Sequence, residues 1–296
     1  MQDAVPIAAI PFSEVSLEHS IKKGGMGEVF KGTYLGSYVA VKKLPLKTRG
    51  RGRASKSLEQ AMIQECEIHS KLHCNNIVQF IGYTVSQARD FGFVLTELVD
   101  GPDLDTIVFA GNYNFSQQTK THMCLGMTRA IAYLHGQKPP IIHQDIKPGN
   151  FVVNLNENKV NDIKLIDLGI SCIRNLQTIG HTARASVYEG TYSYMAPEML
   201  LEMQKGNCKS DIWSLACTCA ELLSGKDIWA VGDNPDLDEI TELQRLMKNG
   251  TIPHAIQALD DIDPNKSFLI NSTEYEQEFR PTALEMVTYF HKETQK

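Results

Sequence analysis

The chain has 296 residues, a net charge of −6 and 42% hydrophobic residues. This length and composition predict a folded protein with a substantial core, built as one large domain or two lobes, and exclude a disordered chain. The acidic balance excludes a global attraction for nucleic acid or anionic membranes, and no run approaches the roughly 20 apolar residues of a membrane-spanning helix.

The cysteines and the N-terminus indicate the compartment. Seven cysteines are scattered along the chain, without the dense spacing of a disulfide framework or the paired CxxC of a zinc site. The first residues carry Asp3 and Glu14 where a secretory signal has a basic start, and Pro6 and Pro11 interrupt their apolar stretch. We therefore expect a soluble, cytoplasmic protein with reduced thiols, and the oligomeric state stays open.

Residues 1–16 are predicted to be an N-terminal extension, and residues 17–99 a lobe made mainly of strands. One helix is predicted there, over Leu58–Leu72. The strand candidates are rich in β-branched or aromatic residues and comprise Glu28–Tyr34, Ser37–Lys42, Ile77–Thr84 and Phe91–Leu98. They predict an antiparallel sheet with one accompanying helix.

The remainder of the chain, residues 100–296, is predicted to be mainly helical. It begins with the turn signal Asp100-Gly101-Pro102. The predicted helices are Ser116–His135, Ser210–Leu223, Leu237–Lys248 and Pro281–His291. Two stretches, Lys47–Ser57 and Asn249–Asn271, lack a pattern and are predicted to be loops. The fold class is therefore α+β.

A glycine cluster joins the first strand-like segments. In Gly24-Gly25-Met26-Gly27-Glu28-Val29, small residues would let backbone amides approach a polyphosphate, although an ordinary turn accounts for the cluster equally well. Lys42 follows at the end of an apolar strand, where phosphate is an obvious counterion and an exposed lysine is the alternative. Glu65 or Glu67 on the predicted helix could hold that lysine.

A basic segment follows this strand and contains Lys47, Arg49, Arg51, Arg53 and Lys56. Glycines interrupt it, so a solvated loop is the favoured interpretation and a docking or phospho-regulatory element is the alternative. We assign it no partner.

The most informative residues form an ordered series in the second half of the chain. It begins with His143-Gln144-Asp145-Ile146-Lys147-Pro148-Gly149-Asn150 and continues with Asp167-Leu168-Gly169. The later members are Ala196-Pro197-Glu198, Asp211-Ile212-Trp213-Ser214 and Arg280-Pro281. This series resembles the catalytic loop, magnesium motif and later motifs of the eukaryotic protein kinase family. The resemblance spans residues 17–292 and implies a single catalytic domain with the bilobal protein kinase fold.

The resemblance implies a role for each matching residue, with ATP and Mg²⁺ as cofactors. Asp145 would be the catalytic base, and Lys147 would offset charge on the γ-phosphate. Asn150 and Asp167 would bind the metal. Lys42 would hold the α and β phosphates and pair with Glu65, for which Glu67 is the fallback.

The nucleotide site is implied in the same way. The residues assigned to it, besides Lys42, are Gly24, Gly25, Gly27, Val29, Ala40, Thr96, Glu97, Val99 and Val152. Thr96 would be the gatekeeper, and backbone groups of Glu97 and Val99 would contact adenine. Asp90-Phe91-Gly92 spells the magnesium motif but precedes the catalytic loop, so we predict a turn there and keep Asp167 as the metal ligand.

Substrate class follows from two local signatures. Asp145 to Asn150 reads DIKPGN, which is similar to the lysine-containing loop of serine/threonine kinases, and Thr191 is placed to bridge Asp145 and Lys147. The resemblance thus implies a serine/threonine protein kinase with a protein substrate, closest to the tyrosine-kinase-like group. Gly149 stands where basic-directed kinases have an acid, so selection for arginine near the phosphosite is not expected.

Three positions depart from the family pattern. Lys22 replaces the opening glycine of the glycine-rich loop, Gln144 replaces the arginine of HRD, and Leu168 replaces the phenylalanine of DFG. Gln144 predicts activation without loop phosphorylation, because the usual partner of a phosphorylated residue is missing. The alternatives are a pseudokinase and a small-molecule phosphotransferase, and the predicted buried ion pair Glu198–Arg280 argues against the latter.

Overall fold

The computed structural model describes residues 7, 9–24, 27–46, 56–156, 159–168, 192–229 and 239–296. These residues divide into two compact units, one ending at Val99 and the other beginning at Asp100. Their architecture is α+β, as predicted: the first unit contains an antiparallel sheet and the second is mainly helical.

The first unit is a five-stranded antiparallel sheet with one helix. Its strands are β1 (Val15–Gly24), β2 (Gly27–Tyr34), β3 (Ser37–Pro45), β4 (Phe80–Val85) and β5 (Phe91–Glu97), in the order β1-β2-β3-β5-β4. The helix α1 spans Lys56–His69. Strand β1 lies in the strand-like segment predicted before the glycine cluster and begins two residues before the predicted lobe; its charged residues obscure its bounds in the sequence.

Alternation along the strands separates two apolar clusters on opposite faces of this sheet. One cluster contains Val39 and Val41 of β3 with Phe93 and Leu95 of β5. The other contains Leu44 and Leu46 with Leu58, Met62 and Cys66 of α1. We call the second face the helix face and the first the outer face.

The segment that spells DFG spans the end of a turn and the start of β5: the predicted turn is confirmed for Asp90, whereas Phe91 and Gly92 belong to the strand. The Arg89 amide donates to Ser86 O at 2.8 Å, and the Ser86 amide donates to Phe91 O at 2.9 Å. Asp90 thus ends the connection between two strands, and Phe91 begins β5.

The second unit starts with helices and a hairpin. It contains α2 (Leu104–Phe109), α3 (Gln117–His135), and the two-stranded sheet of β6 (Phe151–Asn156) and β7 (Lys159–Leu165). After residues 192–194, which form a 3₁₀ turn, follow α4 (Pro197–Leu200), α5 (Cys208–Ser224), α6 (Glu239–Lys248), α7 (His254–Gln257), α8 (Pro264–Ser272) and α9 (Ala283–Glu293).

Helix α5 forms the centre of this unit, because its residues from Ser210 to Leu223 are all buried. Its start is fixed by a capping box in which the side chains of Asn207 and Ser210 bond each other's backbone amides. Helix α9 packs on α3, and the Gln118 side chain donates to Thr294 O at 2.9 Å.

The prediction of a loop over Asn249–Asn271 is wrong, because this stretch contains α7 and most of α8. Pro264 begins α8 and Asp263 caps it by accepting from the Asn265 amide at 2.9 Å. The apolar residues of α8 are spread around the helix, so the periodicity that identifies longer helices is absent. Lys56 and Ser57, also predicted as loop, belong to α1, while residues 47–55 lie outside the described residues.

The cysteines of the described segments, Cys66, Cys74, Cys124, Cys208, Cys217 and Cys219, are free thiols. None of the described helices is long and apolar enough to cross a membrane.

A close backbone contact ties the start of the second unit to its hairpin. The Val153 amide donates to Pro102 O at 2.9 Å, and Asp103 forms a bridge with Val152. Gly101 has φ +151°, and a Cβ there would lie 2.0 Å from Val153 O. The neighbour is a backbone atom of a strand, so it cannot turn away as a side chain would.

We therefore expect Gly101→Ala to lower the free energy of unfolding by about 2 kcal/mol or more. Gly111→Ala is the matched control, since Gly111 has φ +69° with nothing within 4 Å of its Cβ position, and only the left-handed backbone costs about 1 kcal/mol there. Urea unfolding of the three proteins checks this. Equal losses in the two variants would contradict the close contact as the cause.

Candidate active site

Asp145 lies at the centre of a compact polar group in the second unit. Asp145 is only 3% exposed, and Lys147 Nζ lies 3.2 Å from Asp145 Oδ1. The side-chain amide of Asn150 donates to Asp145 Oδ2 at 3.0 Å and to its carbonyl oxygen at 2.7 Å. These contacts fix the orientation of both the carboxylate and the Asn150 side chain.

The β6–β7 hairpin brings Asp167 to the same place. Phe151 pairs with Leu165 at the base of the hairpin, so the chain before β6 and the chain after β7 run side by side. The Ile166 amide donates to Asn150 O at 2.9 Å, and Asp167 is the next residue. Asn150 and Asp167, distant in sequence, are thus neighbours by strand register.

The ring of His143 connects these two segments. The Asp145 amide donates to His143 Nδ1 at 3.2 Å, so this nitrogen carries no proton. Nε2 therefore carries the proton and donates to Asp167 O at 2.5 Å. A neutral, fully buried imidazole holds the backbone of Asp167 against the loop of Asp145.

A buried carboxylate on α5, Asp211, holds the loop from the opposite side. It accepts from the amides of His143 and Gln144, both at 2.8 Å, and from His135 Nε2 at 2.8 Å. Gln144 has φ +63°, a conformation that a residue other than glycine adopts only with local support. Asp211 provides that support.

The donor chemistry of this group fits Mg²⁺. Magnesium binds hard oxygen ligands, usually one or two carboxylates completed by water and phosphate oxygens. Asn150 directs its NH₂ group to Asp145, which leaves its side-chain oxygen available as a metal ligand, and Asp167 offers a carboxylate. Among the described residues, no group of three or more His, Cys, Asp and Glu side chains could hold a metal by itself.

In the first unit, strand register gathers the predicted nucleotide residues on the helix face of the sheet. Val29 lies opposite Lys42, and Ala40 lies opposite Thr96. Ala40 and Lys42 are two residues apart on β3, so all four side chains share one face. The same face packs against α1 through Leu44.

Helix α1 turns Glu65 toward the protein interior. Glu65 is 3% exposed and lies one helical turn from Met62 on the packed side, whereas Glu67 is half-buried. This placement favours Glu65 over Glu67 as the carboxylate for Lys42.

The remaining predicted residues are only partly described. Gly24 ends β1 and Gly27 begins β2, and the φ of +148° at Gly27 puts a hypothetical Cβ 2.4 Å from Lys43 O. Gly25, Gly169 and Thr191 lie outside the described residues. Glu97 ends β5, with its amide donating to Gln79 O at 3.0 Å, and Val99 is half-buried. Val152 lies on β6, in the second unit, opposite Lys164.

Glu198 and Arg280 form the predicted buried ion pair. The guanidinium donates to both carboxylate oxygens, at 2.8 and 2.9 Å, and its other N–H groups donate to backbone carbonyls of Lys209, Glu274 and Tyr275. Burial alone would raise the pKa of Glu198, but the hydrogen bonds and charge of Arg280 outweigh it and lower the pKa. All five guanidinium N–H groups are satisfied.

Another buried carboxyl fixes the 3₁₀ turn at residues 192–194. Glu221 of α5 accepts from Tyr194 Oη and from the Ile228 amide, both at 2.8 Å, and Trp229 Nε1 donates to Ser193 O at 2.8 Å. Burial raises the pKa of Glu221 to about 7, against the opposing effect of these hydrogen bonds.

Sequence reasoning assigned no role to His143, Asp211 or Glu221. For Asp211 and Glu221 a signal was present, because each is a carboxylate within a helix that is mainly apolar, and buried carboxylates need specific partners. His143 gave no signal apart from its place in the motif, since its two partners come from different segments.

Known proteins that are similar to this chain identify its family. The profile of the protein kinase domain matches residues 15–290. Cysteine-rich receptor-like protein kinase 7 of Arabidopsis thaliana is 31% identical over 269 residues, which cover 88% of this chain and 37% of that protein.

Two further relatives come from Dictyostelium discoideum. The probable serine/threonine-protein kinase kinX is 29% identical over 216 residues, covering 73% of this chain and 18% of that protein. Another probable serine/threonine-protein kinase is 33% identical over 227 residues, covering 76% of this chain and 42% of that protein. The chain thus spans well under half the length of these three relatives.

The raised pKa of Glu221 predicts a pH-dependent contribution to stability. An unfolded glutamate has a pKa near 4.3, so between about pH 4.3 and 7 the folded protein binds this proton more tightly than the unfolded chain. The contribution is fully present below pH 4.3 and is lost as the pH rises through about 7, by up to about 3 kcal/mol in total.

We therefore expect Glu221→Gln, which does not titrate, to gain stability relative to the wild type as the pH rises from 5 to 8. Urea unfolding at both pH values measures this difference, and Glu276→Gln, at an exposed position, is the control. A difference between wild type and Glu221→Gln that is the same at pH 5 and 8 would show that Glu221 does not titrate in this range.

Proposed function

The chain belongs to the protein kinase family, and from this premise we propose that it is a serine/threonine kinase that transfers the γ-phosphoryl group of ATP to protein hydroxyls. The observation that supports this most is the fixed arrangement of Asp145, Lys147 and Asn150, with Asp167 brought alongside by the hairpin. Phosphoryl transfer depends on positioning and charge neutralisation, and this arrangement supplies both.

Asp145 is the proposed base. The oxygen of the substrate hydroxyl attacks the γ-phosphorus, its proton passes to the carboxylate of Asp145, and ADP leaves. Asn150 donates to one oxygen of this carboxylate and Lys147 lies beside the other, so the group is held in one orientation as the hydroxyl approaches. Lys147 also places positive charge where the transferred phosphoryl group gathers negative charge.

Asn150 and Asp167 are the proposed ligands of Mg²⁺. When bound, this ion neutralises charge on the phosphates and aligns them for transfer. His143 contributes indirectly, because it fixes the backbone of Asp167 next to the loop that carries Asp145.

The first unit is proposed to bind the rest of the nucleotide. Lys42 would contact the α and β phosphates, with buried Glu65 as its carboxylate partner. Val29 and Ala40 would pack on adenine beside the gatekeeper Thr96, which shares their face of the sheet. Val152 is assigned to the same site on the resemblance to the family.

Serine or threonine is the proposed acceptor residue, and a protein is the proposed substrate. The lysine at position 147 is typical of kinases for these residues, and two relatives from Dictyostelium discoideum are called serine/threonine-protein kinases. Thr191 is the proposed bridge between Asp145 and Lys147. A cytoplasmic location and a role in signalling are part of this proposal.

A pseudokinase is the second candidate, because Lys22 and Gln144 depart from the family pattern. A non-catalytic protein has no chemical need for Lys42, Asp145, Lys147, Asn150 and Asp167 together, so we favour the enzyme.

We expect the purified chain to transfer labelled γ-phosphate from Mg-ATP to itself and to a generic protein, giving phosphoserine or phosphothreonine. Asp145→Asn should lower this transfer by about 100-fold or more while ATP binding persists. Asp261→Asn, at an exposed site, is the matched control and should change nothing. A folded chain that binds ATP without any transfer would favour the pseudokinase.

The glutamine at position 144 generates a further prediction. Without an arginine there, the loop between Asp167 and Thr191 needs no phosphate for activity. We therefore expect substantial activity to remain when Ser171, Thr178, Thr182 and Ser186 are changed to Ala and Tyr188 to Phe, with Thr191 kept. Steady-state rates before and after phosphatase treatment measure this, and a complete loss of activity in this variant would refute it.

A further inference from the structure

A short N-terminal segment covers the edge of the sheet in the first unit. We call Ile7 together with residues 9–14 the edge segment. Among the described strands, β4 pairs only with β5, so it is an edge strand. The amide of Ile10 donates to Tyr83 O on β4 at 2.8 Å, so the edge segment lies along this strand. Uncovered strand edges promote aggregation, and covering one is a common solution.

On the outer face, the side chain of Ile10 fills the space that a side chain at Gly82 would occupy. A Cβ at Gly82 would lie 2.2 Å from Ile10 Cδ1 and 2.9 Å from Cγ1, so the absence of a side chain at position 82 creates this site. Ile10 joins the cluster of Val41 and Leu95 on that face. Phe12 adds a ring contact with Phe93, with centroids 5.1 Å apart.

On the helix face, the same segment reaches the cluster that seats α1. Ile7 packs against the buried group that contains Leu58, Met62 and Cys66 of the helix. Tyr83, whose carbonyl receives the Ile10 amide, belongs to this group as well. The edge segment therefore crosses from one face of the sheet to the other and touches the cluster beneath α1.

Helix α1 packs on the sheet at a second glycine, Gly92 of β5. A Cβ at Gly92 would lie 2.2 Å from Met62 Sδ, so the side chain of Met62 occupies the space beside β5. Glu65 follows Met62 by one helical turn and is buried. The position of Glu65 over the sheet thus depends on how firmly this apolar cluster holds α1.

We propose that Ile7 and Ile10 are positioning residues for phosphoryl transfer: the edge segment completes the cluster under α1 and so holds Glu65 in place to pair with Lys42. This inference rests on the proposed kinase function. Ile10 holds the segment in place because its side chain fills the space beside Gly82 and its amide donates to Tyr83 O. Ile7 then links the segment to the helix, because it packs against the cluster that contains residues of α1. A displacement of about 1 Å at a positioned group is enough to reduce a rate strongly.

Edge protection alone would also explain the contacts, so the test must separate it from positioning. A residue that serves only stability lowers activity by the same factor in any background. A residue that acts by positioning Glu65 has little further effect on activity once Glu65 itself has been changed, because the two substitutions then disturb the same interaction.

The kinetic experiment is a double-mutant cycle. We expect Ile7→Ala and Ile10→Ala each to lower kcat/KM for ATP by about fivefold or more, and by less than about twofold in a Glu65→Gln background. Ile262→Ala removes the same side chain at a position that is 89% exposed and should leave the rate unchanged in both backgrounds. Equal losses with and without Glu65 would overturn the proposal.

A structural experiment changes the contact between Gly82 and Ile10 directly. Gly82→Ala should displace Ile10 and lower hydrogen-exchange protection of the α1 amides from Met62 to Cys66 by about tenfold. Adding Ile10→Val, which removes the clashing Cδ1 atom, should restore part of that protection. Unchanged α1 protection in Gly82→Ala and in Ile7→Ala would also overturn the proposal.

The two arms separate this inference from the proposed function. If the wild-type chain transfers no phosphate, the proposed function fails, and hydrogen exchange still decides whether the edge segment holds α1. If the wild type is active and the α1 amides keep their protection in both variants, the inference alone fails.

Discussion

The buried carboxylate of Asp211 is the interaction on which the candidate active site depends. It holds two consecutive backbone amides and the ring of His135, and so imposes the left-handed conformation of Gln144. That conformation costs about 1 kcal/mol or more for a residue with a side chain, and hydrogen bonds to a charged acceptor contribute about 1.5 to 3 kcal/mol each. Helix α5, which carries Asp211, is buried along its length, so the carboxylate cannot yield. A helix that is buried from Ser210 to Leu223 thereby fixes the two residues that precede Asp145.

Strand register performs the equivalent task in the first unit. Val29, Ala40, Lys42 and Thr96 are scattered over almost 70 positions, yet antiparallel pairing places them on one face. The same face seats α1, so the helix that carries Glu65 and the strand that carries Lys42 share one apolar cluster. A shift of the register by one residue would turn Lys42 to the outer face and remove the site. The placement of the proposed nucleotide-binding residues therefore depends on strand pairing more than on any single contact.

The long, periodic elements and the ordered motifs were predictable from sequence, because each depends on residues close together in the chain. Helix α3 and strand β3 were found within a few residues of their ends, and the motifs from His143 to Arg280 indicated the family. The bounds of β1 could not be predicted because its charged residues obscure the alternation, and α8 was missed because its apolar residues follow no single face. The roles of His143 and Glu221 depend on partners brought together by tertiary packing, and no local pattern encodes such partners.

Asp90-Phe91-Gly92 shows how far a motif can be separated from its usual meaning. Gly92 is required here for packing, since Met62 of α1 fills the space that a side chain would take. Asp90 ends a turn and Phe91 opens a strand, so each residue of the tripeptide has a local structural reason. Asp167 lies in a different context, directly after the hairpin that brings it beside Asn150. The local structure of an aspartate in such a motif therefore depends on the strand pairing before it, and three matching letters point to a metal ligand only where that pairing brings one oxygen-bearing side chain beside another.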